Sequence, residues 1–327
     1  IPLGIVPVTA PGRVHPKVTL RVLRDQGATS RKLVLCVASA NLDENGWWRN
    51  VEVAHISHIA EGESLFDHQD LLSFVGYLNE VTTNATAKEA LEQVLDVLKT
   101  CRRRNLSSTR NETDSRRFIW NGALGRPSLT AQLSRAFATF DDYYENGLLE
   151  IVSPWYSDDG AQQVADLQAL TPVATAVVAL PRAPEDTARV TEAVWSSLPG
   201  SAMWGDLPHD RVRLATAGPS LRRGVHAKAF RWTHPRKNWE AVFTGSFNLT
   251  AQAFQAGGNV AAGVLVDREV GRPKDVVPWL EPITGRPLPD ERGREDEADN
   301  TALRLLRHLR VSFDSAHRVR RIAGPGH

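Results

Sequence analysis

The sequence predicts an α/β protein of two lobes related by internal duplication, with mixed sheets flanked by helices and one site shared between the lobes. Three observations lead there. Two stretches about 210 residues apart match in order and spacing. Both consist of apolar and β-branched runs of five to eight residues with polar or glycine breaks, as strands do. Segments of helical period lie between them, and strands alternating with helices argue for layered α/β packing.

The repeat carries most of the information. The first copy runs over 1–8, then Val14-His15-Pro-Lys17-Val-Thr-Leu20, then Leu33-Val-Leu-Cys-Val-Ala-Ser39-Ala-Asn41-Leu42. The second runs over 211–217, then Val225-His226-Ala-Lys228-Ala-Phe230, then Ala241-Val-Phe-Thr-Gly-Ser246-Phe-Asn248-Leu249. Each continues to an Asn-Val pair, Asn50-Val51 and Asn259-Val260, that opens another apolar strand. A period this long excludes a solenoid and indicates a duplicated domain.

Between the copies the pattern turns helical. A helix is expected over 70–81. A second starts at the capping box Thr86-Ala-Lys-Glu89 and continues through Ala90, Leu91, Val94, Leu95, Leu98 and Cys101. A third spans 129–143 and leads into a strand over 148–154 that a proline stops. A helix over 161–170 and a buried strand over 172–180 follow. Past Asp267 come a charged loop over 289–300, a short helix over 301–309 and the basic run Arg318-Val-Arg-Arg-Ile322. The expected division is a first lobe over 1–147, a second over 148–267 and a C-terminal extension over 268–327. About 60 residues, 148–210, precede the matching part of the second copy and none precede that of the first. The chain is therefore expected to start partway through its first lobe, with further domains or subunits beyond its ends.

The composition, 42% hydrophobic and 24% charged over 327 residues, is that of a globular protein. A net charge of +1 excludes a strongly basic surface overall while leaving room for a local basic groove. No run approaches the ~20 apolar residues of a membrane span, so no membrane is expected as a partner. Two cysteines cannot form a disulfide framework, and no Cys/His grouping has zinc spacing. Reduced thiols, a cytoplasmic setting, no metal and no cofactor are the expectation.

On an extended segment residues i and i+2 point to the same face. His15 and Lys17 thus share a face, as do His226 and Lys228. Ser39 and Asn41, and Ser246 and Asn248, end the neighbouring strands and bring a hydroxyl and a carboxamide to the same place. Two such sets facing each other supply two imidazoles, two ammonium groups and two amides. Lys and Asn donors suit an anion that gains charge in the transition state, such as a phosphoryl group. One imidazole can attack phosphorus while the other protonates the leaving oxygen, with no need of a metal.

These residues resemble the paired motifs of the phospholipase D superfamily: His15-Pro-Lys17…Ser39-Ala-Asn41 and His226-Ala-Lys228…Gly245-Ser-Phe-Asn248. Where many members carry an Asp after the Lys, this chain has Val22 and Thr233. The Asp-less form, and Ser39-Ala-Asn41-Leu42, are most similar to the tyrosyl-DNA phosphodiesterase branch and to phospholipase D-type nucleases. Ser153-Pro-Trp-Tyr156 resembles the start of a second superfamily lobe. The resemblance covers roughly 1–60 and 148–267, and it implies duplicated α-β-α sandwich lobes around one active site. It implies His15 as a nucleophile forming a phosphohistidine, and His226 as the acid that protonates the leaving group and then activates water. It also implies Lys17, Lys228, Asn41 and Asn248 as phosphate ligands. A Glu that follows each Asn and orients the opposite His is matched by Glu52, whereas the second copy has Ala261.

The expected activity is a metal-independent nucleic-acid phosphodiesterase, a nuclease or a DNA-end-processing enzyme of repair or defence. A phospholipid hydrolase or transferase and an inactive nucleic-acid-binding module are the rivals. Arg222, Arg223, Arg236 and Lys237 flank the second motif and are candidates for binding a DNA or RNA backbone, and Trp47 and Trp48 are candidates for base stacking. Arg102-Arg-Arg104 reads as the cationic end of a helix. His55, His58, His68, His209 and His234 read as surface or packing residues.

Overall fold

Residues 14–41 (except 25, 26 and 28), 50–103 (except 66) and 114–138 (except 124) are described by the structure, a computed structural model. So are 146–208 (except 172 and 183–187), 224–283 (except 235 and 271–276), 310–313 and 319–323. The expected helix over 301–309 and charged loop over 289–300 lie outside them.

Alternation sets the first sheet. Strand β2 (Arg31–Ala38) buries Leu33, Leu35 and Val37 and turns the intervening side chains outward. It lies between β1 (Val18–Arg24) and β3 (Ala54–Ala60), antiparallel to both. A two-residue parallel ladder joins β4 (Ser64–Leu65) to β5 (Arg102–Arg103).

Helix α1 (His68–Val81) buries Leu71, Phe74, Val75 and Leu78, one stripe at helical spacing. Helix α2 (Ala85–Thr100) buries Ala87, Leu91, Val94, Val97 and Leu98 and leaves Ala90 outside the stripe. Its cap is Asn84, whose side chain accepts from Ala87 N at 2.9 Å, instead of the expected Thr86 box. Asn caps at least as well as Thr, and the earlier start places Thr86 inside the first turn. Cys101 closes α2, so Arg102 and Arg103 belong to β5 and not to a helix end.

The main sheet has eight strands in the order β13-β9-β8-β7-β10-β11-β12-β6. These are β6 (Asp114–Asn121), β7 (Leu148–Val152), β8 (Thr175–Ala179), β9 (Ala202–Asp206), β10 (Ala229–Thr233), β11 (Trp239–Gly245), β12 (Ala261–Glu269) and β13 (Glu281–Pro282). Strands β7, β8 and β9 are mutually parallel and the remaining pairings antiparallel. Helices α3 (Leu129–Phe137), α4 (Gly160–Ala169), α5 (Glu192–Ser196) and α6 (Ala251–Phe254) complete the set with the hairpin of β14 (Arg310–Phe313) and β15 (Val319–Ala323). The mixed sheet flanked by helices is the α/β layering that the sequence predicts.

Both faces of this sheet are covered. Leu149, Ile151, Phe230, Trp232, Ala241 and Phe243 join α3, α4 and α6 in one core. On the other face Phe118, Trp120, Ala262 and Val264 pack with β2, α1 and α2. Strand β6 therefore lies in the sheet of the second motif, although its sequence position falls within the expected first lobe.

Beyond the apolar cores lies a buried ionic cluster. Arg231 Nη1 meets Glu150 at 3.0 Å and its Nε meets Glu240 at 2.8 Å. Glu150 also accepts the backbone N–H groups of Trp279 and Leu280 at 2.5 and 2.9 Å. These bonds fix 277–283 across the sheet, with Trp279 under the Arg231 guanidinium.

Candidate active site

Each His-x-Lys segment is the extended lead-in to a strand, His15 and Lys17 before β1 and His226 and Lys228 before β10. The i, i+2 rule holds in both: Lys17 Nζ lies 3.0 Å from His15 Nε2 and Lys228 Nζ 3.1 Å from His226 Nε2. Each Ser-x-Asn follows the neighbouring strand, β2 or β11. Ala38 N donates to Lys17 O at 2.9 Å, and Gly245 N donates to Lys228 O at 3.2 Å.

The serines act on the third strand. Ser39 N donates to Val53 O and its hydroxyl accepts Val53 N, both at 2.9 Å. Ser246 does the same with Ala262, at 2.9 and 3.1 Å.

The two motifs are also joined to each other. His15 N donates to Val260 O at 2.8 Å, and His226 N donates to Val51 O at 3.0 Å. Gly122, at φ 104°, lets the end of β6 close on Val260, where a Cβ would come within 2.5 Å of the Val260 Cα.

Side-chain support for the two histidines differs. Glu52 Oε1 accepts from His226 Nδ1 at 2.7 Å, and the Ser39 hydroxyl donates to Glu52 Oε2 at 2.5 Å. Ala261, in the matching place, offers no carboxylate, and His15 Nδ1 instead donates to the backbone carbonyl of Ser246 at 3.0 Å. With Nδ1 turned to these acceptors, it is Nε2, facing lysine, that each ring presents for chemistry.

Electrostatics follow the same asymmetry. Burial, then the charges of Lys17 and Lys228, hold His15 well below the usual histidine value. Burial also lowers His226, but the hydrogen bond and charge of Glu52 act against it. For Glu52, burial pulls upward and is outweighed by His226, the Ser39 hydroxyl and Lys228, so its carboxyl sits below the ordinary range.

Lys228, Ser39 and Ser246 are buried. Asn248 is 7% exposed and its Oδ1 has no hydrogen-bond partner among the described residues, while Asn41 is exposed.

Of the other predicted contacts, those among the described residues are not brought to this place. Arg236 and Lys237 sit in the β10–β11 turn, at the far end of β10 from His226, with the whole strand, about 17 Å long, between them. Arg222, Arg223, Trp47, Trp48 and His209 lie outside the described residues. His68 is buried and bonds Leu98 O at 2.8 Å, His55 bonds Ser57, His234 accepts Arg236 N and His58 is exposed.

Two contributors had no side-chain signal in the sequence. The Ser246 carbonyl that holds His15 is a backbone group. Ser153 anchors the second motif from β7, accepting Leu249 N at 3.2 Å and donating to Trp155 O at 2.9 Å. Its one sequence trace is the Ser153–Tyr156 stretch. Among the described residues no group of three or more His, Cys, Asp or Glu is placed to hold a metal, and no helix is long and apolar enough to cross a membrane.

No protein-family model matches this sequence, and no curated protein matches it. Solved structures do. A mutant form of yeast tyrosyl-DNA phosphodiesterase superposes with a TM-score of 0.50 at 10% identity, covering 79% of this chain and 68% of that one. Another structure of the yeast enzyme gives 0.48 at 12% identity over 83% and 70% of the two chains. At the TM-score of 0.50 the likeness is one of fold, a mixed α/β sheet with helices consistent with the phospholipase D resemblance of the paired motifs.

Proposed function

We propose that the protein is a metal-independent phosphodiesterase of the phospholipase D type that acts on nucleic acid through a phosphohistidine. The observation that carries the reading is the crossed support of two His–Lys pairs: Val260 holds His15, and Val51 and Glu52 hold His226. Strands β1–β3 and β10–β12 are read as equivalent halves of duplicated lobes, 1–147 and 148–267, around one active centre, with 268–327 as an extension.

The roles follow from the support of each ring. His15, backed by a neutral carbonyl and depressed by burial and then by two lysines, is uncharged near neutrality and fit to attack. His226, backed by a carboxylate, is the better holder of a proton and the general acid. His15 Nε2 attacks phosphorus; the bond to the leaving oxygen breaks, and that oxygen takes the Nε2 proton of His226. His226 then accepts a proton from water as its oxygen attacks phosphorus and the P–N bond breaks, restoring His15. Lys17, Lys228, Asn41 and Asn248 bind the non-bridging oxygens, where charge grows in the transition state. Ammonium and amide donors neutralise that charge directly, so the proposal assigns no metal or cofactor to the step.

Nucleic acid is the substrate favoured by the Asp-less motifs. Arg222, Arg223, Trp47 and Trp48 are proposed to contact it, and Arg236 and Lys237 only along a longer strand. Repair or defence in the cytoplasm is the setting that goes with this substrate.

The test is cleavage of end-labelled single- and double-stranded DNA in EDTA by the wild type, His15→Ala and His226→Ala. Chelator-resistant cleavage lost in both variants supports the reading. Release of headgroup from lipid vesicles with DNA left intact would sink it. A covalent adduct trapped on His15 and not on His226 fixes the roles.

A further inference from the structure

His15 is held at two points, and both belong to the ends of one loop. Ser246 O accepts from its Nδ1 at 3.0 Å, and Val260 O accepts its backbone N–H at 2.8 Å. Between those two carbonyls the chain leaves β11, passes Asn248, turns through α6 and re-enters the sheet at β12. The pose of the imidazole therefore depends on how this loop closes.

Helix α6 has four residues, so most of its carbonyls take partners from outside the helix. Gln252 O accepts Asn259 N at 2.7 Å across a close approach at Gly258, where a Cβ would come within 2.1 Å of that oxygen. Ala253 O and Gln255 O are met from a distant part of the chain. Asn121 Nδ2 donates to them at 3.1 and 2.6 Å, and Asn121 Oδ1 accepts Gly122 N at 2.8 Å. One planar amide thus meets two carbonyls and one N–H, a set that a carboxamide fits and an aliphatic group does not.

Asn121 is fully buried at the end of β6. Its Cα partner in β12 is Ala261, next to Val260, and Gly122 lies directly against Val260. The side chain that closes the loop therefore comes from a backbone that flanks the loop's end.

We infer that Asn121 is a positioning residue for His15, its amide closing the 247–259 loop so that the Ser246 and Val260 carbonyls hold the imidazole in one pose. Its effect on rate rests on the phosphodiesterase reading. Its effect on His15 rests on the geometry alone.

Among the described residues the charged and titratable groups acting on His15 are Lys17, Lys228 and His226. Burial lowers its proton affinity most, these three lower it further, and the Ser246 carbonyl raises it. A loosened loop admits water, which relieves the burial and screens the lysines. Loss of the carbonyl acts the other way but is the smaller influence, so the affinity of His15 for a proton rises.

Histidines isotopically labelled at Cε1 are titrated by NMR in the wild type, Asn121→Leu and Asn121→Ser, with His15→Gln to assign the signal. The kcat, KM and pH dependence of kcat/KM are measured on single-stranded DNA. Val194→Ala, a core truncation on α5, is the stability control, and melting curves are taken for every variant.

Asn121→Leu is expected to raise the His15 titration midpoint toward that of an ordinary histidine. The acidic limb of kcat/KM should move to higher pH with it, because His15 attacks only when neutral. The kcat should fall about ten- to hundredfold at little-changed KM, as misplacement of a reacting group does. Asn121→Ser keeps a donor and an acceptor; it should fall between, and it carries the test where Asn121→Leu fails to fold. Val194→Ala should lower the melting temperature and leave midpoint and limb in place. An unmoved His15 midpoint in the folded Asn121 variants overturns the inference, as does the same movement in Val194→Ala. Absence of DNA turnover by the wild type removes the phosphodiesterase reading alone, because the titration still reads the pose of His15.

Discussion

Glu52 and His226 stand 174 residues apart in sequence and 2.7 Å apart in space, carboxylate oxygen to Nδ1. The carboxylate stabilises the imidazolium, so removing its charge lowers the affinity of His226 for its proton. Glu52→Gln is expected to move the alkaline limb of kcat/KM to lower pH, because His226, the proposed general acid, deprotonates earlier. The rate on DNA at neutral pH should fall about ten- to hundredfold. A nitrophenyl ester, whose leaving group needs no proton, should be much less affected. Steady-state pH profiles on both substrates decide it; an unmoved limb on DNA removes Glu52 from this role.

Asn248 is buried with its Oδ1 unpartnered among the described residues, an arrangement that disfavours the folded state. Asn248→Ala is therefore expected to leave stability unchanged or raised. Loss of a donor to the phosphoryl oxygens should lower kcat by about a hundred- to a thousandfold. Parallel melting curves and single-turnover rates check both halves. A destabilised variant would show that the amide serves the fold.

Glu150 is fully buried against Arg231 and also accepts the Trp279 and Leu280 N–H groups. Glu150→Ala leaves the buried Arg231 guanidinium with Glu240 as its remaining carboxylate and orphans the Trp279 and Leu280 N–H groups, and is expected to cost about 3–5 kcal/mol in urea unfolding. Limited proteolysis should then cut within 277–283. Full resistance there would show that other contacts hold this segment.

Asp67 accepts Phe118 N at 2.9 Å, and burial pushes its carboxyl up to about 6 from 3.8. Between those values the folded chain holds a proton that the unfolded chain has released. Stability attributable to this group is present at low pH, declines as pH rises from about 4 to about 6, and stays lost above. Asp67→Asn removes the ionisation and keeps an acceptor for Phe118 N. It is expected to stabilise by roughly 1–3 kcal/mol at pH 8 and by little near pH 4. Melting temperatures at the two pH values test the sign.

Much of this molecule is legible in its sequence because the relevant signals are local. The alternation of Leu33, Leu35 and Val37 gives β2 its buried face, and the stripe Leu71, Phe74, Val75, Leu78 gives α1 its own. Helix starts were less legible. Thr86 and Asn84 both carry capping chemistry, and only the path into the helix selects Asn84.

The sequence by itself determined that His and Lys share a face, twice, since period two is a property of extended backbone. It also determined that Asp is absent where Val22 and Thr233 stand, and that one half has Glu52 where the other has Ala261. The tertiary structure decided that Glu52 turns to His226, that a Ser246 carbonyl serves His15, and that β6 completes the sheet of the second motif. It also placed Arg236 and Lys237 at the far end of β10. The reason is physical: spacing along the chain fixes which way a side chain faces. Which strand lies next to which depends on burial summed over distant segments, and that sum leaves no local period to read.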